Sequence, residues 1–222
     1  LLGIHINFAP VVDVNSNPRN PIINNRSFGE DPEKVGRMGV AYMKGMQDNY
    51  VLACAKHFPG HGDTDADSHK TLPVVNHLRN RLEEVELAPF RKLINNGLGS
   101  VMVAHLNVPV LDNTKDLPTS LSPKVVNGLL KKELGFTGLS ITDGLNMQGV
   151  TKFYSSGLLD VKALLAGNDV LLFSEDVPKA IEEIKEAIKN NKISQAEIDA
   201  RCHKILMAKQ WMGLDNYKAI DL

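Results

Sequence analysis

Cysteine is scarce in this chain, two residues in 222, and tryptophan scarcer still at one. Cys54 and Cys202 are too few for a disulfide framework and read as reduced, small apolar fillers. They leave redox compartment and destination open. Charge of one sign is lacking as well: 25 Lys+Arg stand against 26 Asp+Glu, a net charge of -1, and no basic run exceeds two residues. That argues against nucleic acid or an anionic membrane surface as partner. No apolar run reaches the ~18 residues needed to span a bilayer. Neither G-x-G-x-x-G nor G-x-x-x-x-G-K-[ST] occurs, so the phosphate cradles of nucleotide-binding open sheets have no candidate. The chain opens Leu1-Leu2-Gly3, without Met or a charged leader, so its natural start is expected upstream. What is present, 43% hydrophobic and 23% charged residues, is the balance of a single soluble globular domain over residues 1–222. At this length one core buries roughly 70% of the unfolded surface, so the fold requires neither a metal nor a disulfide.

Short apolar runs alternate with longer amphipathic segments, the rhythm of βα units around a parallel sheet. Five strands are predicted: Ile4 to Val12, Val51 to Lys56, Ser100 to Leu106, Leu139 to Asp143 and Asp169 to Phe173. Between them Asp31 to Asn49 reads as a helix capped by Asp31-Pro32, with Val35, Met38, Tyr42, Met43 and Met46 on one stripe. Leu78 to Asn95 forms another, carrying Leu82, Val85, Phe90, Leu93 and Ile94, with a kink expected at Pro89. Ser122-Pro123 opens a helix that stops at Gly135, and Asp176 and Pro178 open one that runs through Lys189. The last helix starts at a capping box, Ser194 with Glu197, and its stripe is Ile198, Cys202, Ile205 and Leu206. Asp13, Lys56 with His57, His105 and Asp143 fall at the C-terminal ends of several different strands. A (β/α) barrel builds its site there, so an α/β barrel is preferred over an open doubly wound sheet. A full barrel takes eight strands and about 250 residues. Only five strands are counted here, so the opening strands are expected to lie outside this chain.

The densest polar cluster is Lys56 to His69, K-H-F-P-G-H-G-D-T-D-A-D-S-H, with three imidazoles, three carboxylates and a lysine. Two metal templates fail on it. His57 and His61 are separated by Pro59 and Gly60, which preclude the helix of H-E-x-x-H. Asp63, Asp65 and Asp67 imitate the start of a calcium loop, but Ser68 and Val74 stand where Gly and Glu are needed. No metal ligand and no cofactor is therefore assigned. Asp67 and His69 flank one residue and project to the same side of an extended stretch, so Asp67 could orient His69 as an acid/base. The same residues also read as a solvated Asp-rich turn. Asp143 could serve the barrel mouth as nucleophile, base or ligand, or simply cap the next helix. Arg26 could fork onto hydroxyls or pair with Glu30 or Asp31. Asp13 and His105 read as core residues satisfied by hydrogen bonds, and His5, His77 and His203 carry no signal.

The string Lys56 to His69 closely resembles the signature of family 3 glycoside hydrolases, in the β-N-acetylglucosaminidase branch typified by bacterial peptidoglycan-recycling enzymes. Further matches are N-F-A-P-V-V-D-V at Asn7 to Val14, N-R-S-F-G at Asn25 to Gly29, V-M-V-A-H at Val101 to His105, and L-S-P-K-V-V-N-G-L-L-K-K-E-L-G-F-T-G at Leu121 to Gly138. The resemblance implies a (β/α)8 barrel and a retaining mechanism through a covalent glycosyl intermediate. It makes Asp143 the nucleophile and His69, oriented by Asp67, the general acid/base. Arg26, Lys56 and His57 are similar to residues that grip sugar hydroxyls, and His61 and Asp63 to residues shaping the loop that carries the dyad. Gly144 departs from the Asp or Ala common in the family. Family barrels also begin upstream of G-I-H-I-N-F with strands that include an acidic sugar-binding residue, so a companion segment or chain is expected to complete the barrel. The implied partner is a β-linked N-acetylglucosamine glycan, for instance a peptidoglycan fragment. Alternatives are a phosphorylase of the same glycosides, a non-catalytic sugar-binding barrel fragment, and a metal-dependent hydrolase.

Overall fold

The computed structural model describes residues 3–65 and 71–216. Four parallel strands lie side by side in chain order: β1 (Ile6–Asn7), β2 (Leu52–Phe58), β3 (Ser100–Val103) and β4 (Leu139–Thr142). Leu52 pairs with Ile6, Ser100 with both Cys54 and Leu139, and Val103 with Thr142. A fifth segment joins β4 through one parallel bridge, Ile141 to Val170. Sequential order with no reversal is the winding of a barrel arc, not of a doubly wound sheet, whose order switches direction at its centre.

Helices pack on the arc. They are α1 (Pro32–Gln47), α2 (Arg79–Arg81), α3 (Leu87–Ile94), α4 (Gln148–Thr151), α5 (Leu158–Ala166), α6 (Val177–Lys189) and α7 (Gln195–Trp211). Of these, α1 and α3 lie on its outer face and α7 against its inner face. Side chains alternate across a strand, so successive residues face opposite layers. Ala53, Ala55, Val101 and Val103 face outward, joined by Phe58 beyond a register shift after Ala55, and pack with Val35, Met43, Phe90 and Leu93 of the helices. Leu52, Cys54, Met102, Leu139 and Ile141 face inward, joined by Ile6, Phe8, Val170 and Leu172, and by Ile205, Ala208 and Met212 at the end of the chain. The inward positions continue to Lys56 on β2 and to Asp143 just past β4. An apolar floor therefore rises to a polar mouth at the strand C-termini.

Several expected boundaries change. The strand from Ile4 to Val12 contracts to Ile6–Asn7 plus a bridge from Val11 to Lys56. Pro10 lies between them and has no N–H for a ladder. Asp169 to Phe173 pairs only at Val170, and Phe173 adopts φ +51°, outside strand geometry. Helix α1 is capped as expected, with Asp31 accepting from the Lys34 N–H at 2.6 Å, but it buries Val35, Gly36, Gly39 and Met43 and leaves Met38 and Tyr42 exposed. Close approach selects that face: a Cβ on Gly39 would lie 2.9 Å from Val12 Cγ1 and 3.0 Å from Leu93 Cδ1. The irregularity expected at Pro89 takes the form of a π-helical turn, Leu82–Glu86, just before α3. The segment after Pro123 is also π-helical, over Lys124–Glu133, and it buries Val125, Val126, Leu129 and Leu130. Asp176 caps α6, and the Ser194–Glu197 box caps α7. In α7, however, Cys202 and Leu206 face solvent. Its contact seam is instead Ile198, Arg201, Ile205 and Ala208, with Arg201 donating to the carbonyls of Leu164 and Asn168.

Candidate active site

The C-terminal ends of the strands surround a pocket of about 210 Å³, lined by Phe8, Ile22, Arg26, Lys56, His57, His61, Met102, Asp143 and Leu172. Lys56 and His57 come from the end of β2, and the peptide bond between them is cis. Asp143 follows β4, its N–H held by the Val103 carbonyl at 2.9 Å. Arg26 enters from the short helical turn Asn24–Arg26. Four of the six predicted site residues, Arg26, Lys56, His57 and Asp143, thus share one hollow. Asp67 and His69 lie outside the described residues.

Asp143 does not cap the helix after it: that helix begins at Gln148, with Met147 at the cap position, while Asp143 Oδ1 accepts from the Gly144 N–H at 2.8 Å. The loop is pinned further by buried His105, whose Nε2 is 3.0 Å from the Gly144 carbonyl and whose Nδ1 is 2.7 Å from Ser120 Oγ. A carbonyl only accepts, so Nε2 of His105 carries the proton. Arg26 donates to the Ile22 carbonyl at 3.2 Å and reaches His57 Nε2 at 3.5 Å, leaving Glu30 and Asp31 to other roles. Burial, and then the Arg26 guanidinium, pull the Lys56 ammonium below the usual lysine range, against the opposing pull of Asp143 and Asp13.

Behind the pocket, Asp13 is fully buried and gathers three N–H donors. These are the His57 backbone N–H at 3.1 Å, His57 Nδ1 at 2.8 Å and the His61 backbone N–H at 2.7 Å. Burial alone would raise its carboxyl, but the hydrogen bonds from His57, backed by His61, hold it below the usual carboxylate range. Burial also pulls the His61 imidazole down, with Asp13 opposing. His61 in turn is tied to Thr64, Nδ1 to Oγ1 at 2.6 Å, and Asn20 donates to its carbonyl at 2.7 Å.

Two carboxylates of the acidic run after His61 are engaged structurally. Asp63 pairs with His77, and Asp65 accepts from Asn17 at 2.6 Å. His77 carried no sequence signal because its partner is 14 residues away in a loop. Among the described residues no three His, Cys, Asp or Glu side chains are grouped as metal ligands. His61, given a loop-shaping part on resemblance, also lines the pocket itself.

A parallel α/β arc carrying this polar mouth defines the class of protein, and comparison with known proteins gives the family. Residues 1–208 match the glycosyl hydrolase family 3 N-terminal domain, and the chain belongs to that family, whose fold is TIM-barrel-like. The structure of a glycoside hydrolase family 3 β-N-acetylglucosaminidase from Paenibacillus sp. str. FPU-7 superposes with a TM-score of 0.95 at 44% identity, over 100% of this chain and 42% of that one. β-Hexosaminidase A of Pseudoalteromonas piscicida is 37% identical over 94% of this chain and 38% of its own length. A structure described as β-glucoside phosphorylase BglX matches with a TM-score of 0.92 at 28% identity, over 97% of this chain and 40% of that one. The chain therefore spans well under two thirds of these relatives.

Proposed function

We propose that this chain is a catalytic barrel domain of a retaining β-N-acetylglucosaminidase. The observation that carries the reading is the shared pocket, in which a carboxylate at a strand terminus faces the donors of Arg26 and Lys56 and the imidazole of His57. At about 210 Å³ it is below the usual range for ligand clefts, roughly 300–1,000 Å³, and suits a single sugar ring. The names of the relatives support N-acetylglucosamine as the sugar.

In this mechanism Arg26, Lys56 and His57 hold the sugar hydroxyls. The Asp143 carboxylate attacks the anomeric carbon while the bond to the departing oxygen breaks, and that oxygen takes a proton from His69, which Asp67 orients. A water molecule then gives its proton to His69 and displaces Asp143, so configuration is retained. An imidazole can take both parts because its ordinary pKa lies near neutrality.

Asp143→Ala is expected to abolish release of a chromogenic β-GlcNAc leaving group, and undiminished turnover would overturn the assignment. His69→Ala is expected to slow poor leaving groups by about 10²–10⁴-fold and activated phenolates far less. Equal losses for both would remove the acid role. A second reading, phosphorolysis, is favoured by the likeness to the β-glucoside phosphorylase. Phosphate displacing Asp143 in place of water would yield a sugar 1-phosphate, so products compared with and without phosphate separate the two.

A further inference from the structure

We propose that Asp13 is a positioning residue: it holds His57 as the neutral tautomer protonated at Nδ1, so that Nε2 presents a lone pair to the pocket. Two distances carry this. On the buried side, His57 Nδ1 stands 2.8 Å from Asp13 Oδ2. An ionised carboxylate only accepts, so Nδ1 must carry a proton. On the pocket side, Arg26 Nη2 stands 3.5 Å from His57 Nε2. A guanidinium only donates, and a proton on Nε2 would set donor against donor. The only state that satisfies both neighbours has Nδ1 protonated and Nε2 bare.

The rest of the Asp13 environment makes this state rigid. Oδ1 receives the backbone N–H groups of both His57 and His61, and Asp13 has no solvent exposure, so the carboxylate cannot rotate without orphaning a buried donor. The Asp13 carbonyl is fixed too, accepting from Ser27 Oγ at 2.6 Å in the loop that carries Arg26. One buried residue thus sets the hydrogen-bonding sense of the imidazole and tethers the loop of the guanidinium facing it. For a sugar the consequence is specific. Lys56 and Arg26 can only donate to hydroxyl oxygens, so once the Arg26 N–H turns to a sugar oxygen the His57 Nε2 lone pair is released to accept a hydroxyl hydrogen.

This deepens the glycosidase reading and rests on it for its catalytic consequence, but the tautomer can be read without any substrate. In the full chain with ¹⁵N-labelled histidine, two-bond ¹H–¹⁵N correlations are expected to show His57 with a protonated Nδ1 and a bare Nε2. A proton on Nε2 of the unmodified protein would overturn the proposal outright, whatever the enzyme's activity. Asp13→Asn places an amide N–H₂ against Nδ1 and is expected to reverse the pattern; an unchanged tautomer in a folded variant would also overturn it. In the activity arm, Asp13→Asn should lower kcat/KM on a β-GlcNAc substrate by roughly 10–100-fold, the loss of one charge-assisted contact. That loss should vanish when His57 is already Ala, because Asp13 acts through His57. Additive losses in the double variant would leave Asp13 merely structural. Absence of β-GlcNAc turnover in the unmodified protein would sink the glycosidase reading and leave the tautomer result to stand or fall alone.

Discussion

The glycines of the Lys56 to His69 string are there for space. Gly60 adopts φ +135°, and a Cβ on it would meet Glu86 Cβ at 2.7 Å. At Gly62 the backbone passes so close to the preceding loop that a Cβ would lie 1.8 Å from the Val14 carbonyl oxygen. Backbone cannot move aside as a flexible side chain does, and this approach seats His61 against Asp13. Gly62→Ala is therefore expected to destabilise the protein by about 3 kcal/mol, read as a lower urea midpoint. Gly45, inside α1 with nothing within 4 Å, is the matched control. Gly45→Ala should stabilise by roughly 0.5–1 kcal/mol, the helix penalty of glycine. Equal effects at the two positions would show that close packing is not what Gly62 provides.

Helix α7 is held more by charge than by its apolar residues, none of which is fully buried. Its Lys204 donates to Asp169 at 2.7 Å, and Lys131 of the π-helix reaches the same carboxylate at 3.0 Å. Asp169 also accepts from the N–H and the hydroxyl of Ser140 on β4, each at 2.9 Å. Three elements thus meet on one nearly buried carboxylate, and deleting it takes the acceptor from the Lys204 ammonium and the Ser140 N–H and leaves Lys131 only the Gly167 carbonyl. Asp169→Ala is expected to cost about 3 kcal/mol, measured by chemical denaturation. A loss within about 0.5 kcal/mol, typical of a surface position, would show that α7 is held by other contacts.

Across the molecule these buried carboxylates tie stability to pH. Burial would raise Asp169, but Lys131, Lys204 and Ser140 hold it below the usual range, and His57 and His61 do the same for Asp13. A carboxyl with a depressed folded value contributes stability above its unfolded pKa, about 3.9, and loses it as pH falls through the folded value. His61 works in the same direction from a higher start. Its burial-lowered imidazole contributes fully above about 6.5, and that share declines as pH falls toward the folded value. Glu86, raised by burial, opposes both. The urea midpoint is expected to drop between pH 7 and pH 3, and to drop less in Asp169→Asn, which has already lost that share. Parallel drops would remove Asp169 from the account.

How much of this could be read from the chain depends on distance along it. The caps at Asp31, Asp176 and Ser194 were legible because each joins a side chain to a backbone N–H three residues on. The strand cores were legible as short apolar runs, and the strand pleat puts Lys56 and Asp143 on the inward side of their strands. Other features could not be read this way. Which face α1 buries depends on Val12 and Leu93 pressing against its glycines. The part played by Asp13 depends on donors 44 and 48 residues away. The line Asp169 to Phe173 looked like a full strand, yet pairing settled at one bridge. Local hydrogen bonds and side-chain periodicity follow from the covalent chain, whereas a buried carboxylate acquires its meaning only when packing delivers its donors.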